Sequence, residues 1–209
     1  MTAPATPLTK AVDEFVEATH PPLVRNHNQR SYLLARALAD ARGQDYDVEL
    51  VYLICALHDV GLTDAGAGTQ RFEVDGADRA AELLEEHGAT DAQIDTVWDA
   101  IALHTTPSLT ASPVFGRRRP PEIRIAHAGI THDVLGGPDG LPPGFADRLL
   151  AIYPRLGGTP ALTALIVAQV EADPRKAPPC TLPGELLHQR HPDAPYPTWD
   201  ALVAVNGWD

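Results

Sequence analysis

His58 and Asp59 stand side by side at the end of an aliphatic run, LICALHDVGLT, residues 53–63. An imidazole and a carboxylate placed together can bind a metal ion or exchange a proton with water. His27, His104 and Asp133 are three further groups of the same kind. Residues three, four and seven apart share one face of a helix, so the apolar neighbours of each group show which way it points. Val51, Ile54 and Cys55 set one face, and His58 continues it with Asp59 at its edge. Leu34 and Leu38 set a second, which Ser31 and His27 extend backward. Ile94, Val97, Trp98 and Ile101 lead to His104, and Ile123, Ala126 and Ile130 lead to Asp133.

Five polar groups, two of them carboxylates, therefore extend buried faces. Such burial is costly unless the groups are paired. One divalent cation pairs them together, neutralising carboxylates and accepting imidazole lone pairs. Two His and two Asp form a mixed N/O set that suits zinc first, then iron or manganese. Singly, each residue has a plainer account. His104 reads as a hydrogen-bonded core histidine, Asp133 as a helix-end residue near Gly136–Gly137, and Asp59 as a local cap beside Gly61. Their convergence favours the metal.

The elements that must position these groups are helical almost throughout. The spacing predicts helices over 8–18, 27–42, 47–60, 73–88, 91–105, 121–135, 144–155 and 160–172, and no hairpin. Pro21–Pro22 separates the first two; Asn26 caps the second and Asp47 the third, with His27 in the second helix's first turn. Gly43, Gly61 and Gly88 follow helices where a left-handed residue is wanted. Residues 106–121 and 136–143 read as loops, and Arg117–Arg119 as solvated charge on the first of them. Past 173 the chain turns Pro-rich and irregular, ending in a short helix or cap, TWDALVAVNGWD, that Trp199 and Trp208 would pin to the body. The expected organisation is an N-terminal helix and linker over 1–24, a helical domain over 25–172 and an extension over 173–209.

With 209 residues and 44% hydrophobic content, the chain suits one domain with a full core. A net charge of −12 argues against nucleic acid and anionic membranes as partners. No stretch approaches the roughly 20 apolar residues of a membrane span. MTAPATPLTK has no apolar leader region, and Cys55 and Cys180 form no disulfide framework. The expectation is a cytoplasmic, reduced protein acting on a small molecule, with a homo-oligomer compatible.

The order of these residues resembles the HD-domain superfamily of metal-dependent enzymes: a His near a helix start, a His–Asp pair about thirty residues on, then a distant Asp. More narrowly, YDVELVYLICALHDVGLT, RFEVDGADRAAELLEEHG, VWDAIALHTT and THDVLG look like the cyanamide hydratase-like branch, over roughly residues 25 to 155. That resemblance implies an all-α bundle holding one metal through His27, His58, Asp59 and Asp133. Two-metal members carry a further His where this chain has Phe72, which cannot ligate, so one ion is expected.

The implied activity is addition of water across a C≡N bond, releasing urea from cyanamide. The metal would activate water, His104 would supply the proton that nitrogen gains, and Asp59 would be both a ligand and a proton acceptor. Thr105, Phe72 and Arg30 are candidate substrate contacts, with a helix-end role as the plainer account of Thr105. Glu73 and Asp75 either close over the site or cap the next helix. His87 reads as a helix cap, His127 as core, His132 as solvent-facing and His20 as a loop residue; His188 and His191 are not taken as a second metal site. Two alternatives stand beside this reading. One is an HD-type phosphohydrolase using Arg25, Arg30 or Arg71 to hold phosphate. The other is a non-catalytic, metal-stabilised binding module.

Overall fold

The structure is a computed structural model that describes residues 4–106 and 108–208. The three N-terminal residues, Pro107 in the expected 106–121 loop and Asp209 at the chain's end lie outside the described residues. The described residues form eleven α-helices and no strand. They are α1 Pro7–Thr19, α2 Pro22–Ala41, α3 Val48–Leu57, α4 Phe72–Glu86, α5 Asp91–Leu103, α6 Pro113–Arg118, α7 Pro121–Leu135, α8 Phe145–Ile152, α9 Gly158–Ala172, α10 Leu182–Arg190 and α11 Trp199–Ala204.

Helix α3 is the axis of the fold. Val51 to Leu57 are all buried, so the helix is apolar around its whole circumference and must be enclosed. Asp47 starts it as expected, accepting from the amides of Glu49 and Leu50. Helices α1, α2, α5 and α7 pack around it, and Val12, Tyr32, Val97, Ile101 and Ile123 complete one core with it. Helix α4 packs on α5.

Helices α2 and α7 cross closely because Gly129 has no side chain. A Cβ there would stand 2.2 Å from the Ser31 carbonyl oxygen and 2.6 Å from the Ala35 nitrogen. That contact brings the His27–Arg30 turn of α2 against the Asp133 turn of α7.

Several expectations need correction. Helix α2 begins at Pro22, because proline is well suited to a first helical position and Pro21 serves as N-cap. His27 therefore sits in the second turn. Asn26 lies inside the helix and caps nothing; its amide donates to the Pro154 carbonyl at 2.9 Å. His20, expected in a loop, is buried at the end of α1.

Gly43 and Gly88 are left-handed, with φ of 60° and 75°. Gly61 is not: it lies in a 3₁₀ turn, Val60–Leu62, and glycine is needed there because a Cβ would come within 1.9 Å of the Phe72 carbonyl oxygen. The expected 106–121 loop contains α6, started by Ser112 and Pro113. The tail expected to be irregular contains α10, capped by Thr181. The terminal tryptophans do not pin the tail, since Trp199 is 71% and Trp208 94% exposed. The anchor is Lys176, buried against Asp75 of α4 at 2.8 Å.

Candidate metal centre

Four elements deliver the polar cluster. Helix α2 carries His27 and Arg30, the end of α3 carries His58 and Asp59, the end of α5 carries His104, and α7 carries His127 and Asp133. Asn28 fixes α2 to α3 by donating to the Ala56 carbonyl at 2.7 Å. Gln169 of α9 holds the turn after Asp59 by donating to the Gly61 carbonyl at 2.7 Å.

His27, His58 and Asp59 are buried and converge as a group that could hold a metal ion. Their donor atoms form a triangle: His27 Nε2 to His58 Nε2 is 3.1 Å, His58 Nε2 to Asp59 Oδ2 is 3.4 Å, and His27 Nε2 to Asp59 Oδ2 is 3.6 Å. Tetrahedral ligands at zinc bond lengths stand about 3.4 Å apart.

The protonation pattern supports the fit. His58 Nδ1 donates to the Cys55 carbonyl at 2.9 Å, and His27 Nδ1 donates to Asp133 at 2.7 Å. Burial, joined by the nearby His27, holds the His58 pKa well below the usual histidine value, so that ring is neutral and its Nε2 lone pair faces the triangle. A divalent ion would take that lone pair, His27 Nε2 and the Asp59 carboxylate together.

Asp133 is not part of that triangle. Arg30 grips it with two bonds, Nε to Oδ1 and Nη2 to Oδ2, each 2.8 Å, while Oδ2 also accepts from His27. Burial alone would raise its pKa, but the bonds from His27 and Arg30 outweigh burial and hold the carboxyl below the usual range. The carboxylate orients His27, as partners of metal-binding histidines commonly do. Arg30, fully buried, spends its remaining bonds on the Tyr153 and Pro154 carbonyls.

His104 stands beside the triangle on the Asp59 side. Its Nε2 lies 3.7 Å from Asp59 Oδ1, and its Nδ1 donates to the Ile101 carbonyl at 2.7 Å. Burial and the adjacent His58 push its pKa down to about 3. The neutral ring thus presents a lone pair at Nε2. Phe72 stacks edge-on against His104. The Thr105 hydroxyl donates to Glu73, leaving its oxygen able to accept. Glu73 is buried with one oxygen lacking a protein partner, so it neither caps α4 nor lies open over the site.

The cluster floors a cavity of about 580 Å³. Leu62, Phe72 and residues of α7, α9 and α10 form its walls, with hydroxyls from Thr131 and Thr163. Among the described residues, no arginine or lysine lines it. His127 also reaches it and donates to the Ala100 carbonyl at 2.7 Å. The walls from α9 and α10 escaped the sequence reading, because nothing in those segments but an apolar spacing marks them. His87 bonds back to the Leu83 carbonyl, His132 to the Gly137 carbonyl, and His191 pairs with Glu171.

A protein-family model described as HD domain matches residues 24–170. No curated protein matches the chain.

Proposed function

The chain belongs to the HD-domain family, a family of metal-dependent hydrolases, and from that premise we propose that it adds water to a small uncharged C≡N-type substrate, cyanamide or a related nitrile. One observation carries the reading: three facing ligand atoms on the floor of a cavity whose described lining holds no arginine or lysine. A phosphate ester would bring negative charge to that floor beside Asp59. Arg30 is committed to Asp133, Arg25 pairs with Glu17 and Arg71 with Glu73, and none of the three lines the cavity.

His27, His58 and Asp59 would hold one divalent ion, with zinc favoured by the nitrogen-rich set. Such an ion acidifies water and polarises a nitrile. In this reading Asp133 and Arg30 position His27 and do not touch substrate. His104 Nε2 takes a proton from the attacking water as the C–O bond forms and one C–N π bond breaks. It returns that proton to the nitrogen, and the second water proton moves from oxygen to nitrogen as the imidic acid becomes an amide or urea. The Thr105 oxygen, its own proton given to Glu73, accepts from a substrate N–H. Phe72 packs on His104 and limits water there.

The test is a paired assay on protein of measured metal content. Urea from cyanamide, or amide from nitriles, is expected, with no phosphate released from a nucleotide panel. Phosphate release without C≡N hydration sinks the reading.

A further inference from the structure

Cyanamide has three heavy atoms, yet the cavity above the cluster measures about 580 Å³. Sites of roughly 300–1,000 Å³ enclose ligands of drug size. The excess space is apolar: Ile130 and Val134 of α7, Leu162 and Ile166 of α9, and Leu182 and Leu186 of α10 line it. The last two lie beyond the family-matched residues 24–170, so this wall is supplied by the chain's own extension.

We infer that the substrate carries a hydrocarbon tail, held between α7, α9 and α10, behind an uncharged polar head at the His58–Asp59 floor. The inference rests on the proposed site but concerns a different part of it. A charged tail would leave water for described walls that offer a few threonine hydroxyls and no counter-charge. An aliphatic tail gains the transfer energy of each methylene it buries.

Binding of n-alkyl hydroxamic acids, from acetohydroxamic to octanohydroxamic acid, tests this by calorimetry on metal-loaded and chelator-stripped protein. The hydroxamate is a metal-binding head, and the tail reads the walls. In the loaded arm, affinity is expected to rise about fourfold per methylene until the cavity is full. Leu186→Trp should move the best chain length shorter, and Leu182→Trp, at a side chain 39% exposed, repeats the test on a tolerant surface position. Affinity independent of chain length in the loaded arm overturns the inference, as does an unchanged length profile in both tryptophan variants. The metal reading fails separately, if loading the protein adds no affinity for acetohydroxamic acid.

Discussion

Asp133 Oδ2 lies 2.7 Å from His27 Nδ1, so the most distant acidic residue of the motif is bonded to a histidine and stands outside the His27–His58–Asp59 triangle. Asp133→Asn should lower metal affinity about 10–100-fold, as expected for a group that orients a ligand. It should also destabilise the fold by about 3–5 kcal/mol, because Arg30 is left buried without its counter-charge. Metal titration and denaturant unfolding check both effects. Metal loss as complete as in His58→Ala would make Asp133 a ligand.

Asp59→Ala should lose metal and turnover together. His104→Ala should keep the metal and lose about 10²–10⁴-fold in kcat, the usual contribution of a positioned acid–base group. Elemental analysis beside steady-state kinetics separates the two. Metal loss in His104→Ala would assign that residue to the ion.

Chelation should lower Tm, because an ion held by the folded triangle would have no such site in the unfolded chain. At a metal concentration of 100 Kd the stabilisation is about 2.7 kcal/mol. Equal melting of stripped and loaded protein would remove the ion from the folded structure.

Acid should destabilise the stripped protein through His20. Burial lowers its pKa to about 4, while the unfolded residue stays at 6.5. Between those values the unfolded chain binds a proton that the folded chain refuses, so stability falls as pH drops from 6.5 toward 4. This lowering corresponds to about 3 kcal/mol. His20→Leu should make the profile shallower in that window by the share of one proton, the buried His58 and His104 supplying the slope that remains, while leaving unfolding near pH 7.5 almost unchanged. A slope identical to that of the parent would exclude His20 as the source.

Gly129→Ala should cost about 1–3 kcal/mol by forcing α2 and α7 apart. Since that crossing sets the Asp133–His27 contact, metal affinity should fall with stability. Weakened folding with undiminished metal affinity would separate the crossing from the site.

The inward faces of His27, His58, Asp59, His104 and Asp133 were legible because helical spacing is strict and each group ends an apolar stripe. The division of labour among them was not. Asp133 is held by Arg30, and a single arginine three residues after His27 reads equally well as surface charge. Helices α6 and α10 were hidden by proline content, although Ser112–Pro113 and Thr181–Leu182–Pro183 are start signals once proline is weighed by position. The exposed tryptophans went against expectation because the tail is fastened elsewhere, by the Lys176–Asp75 pair and by α10 packing on α9.

That fastening ties the extension to the family-matched segment. An expression fragment trimmed to residues 24–170 would retain Asp75 without Lys176, a buried anion stripped of its cation, and would lack α10 from one side of the cavity. A protease cut between α9 and Lys176, with loss of the released peptide, would have the same effect. The recognisable family segment is thus shorter than the piece of chain that closes this cavity and pairs Asp75.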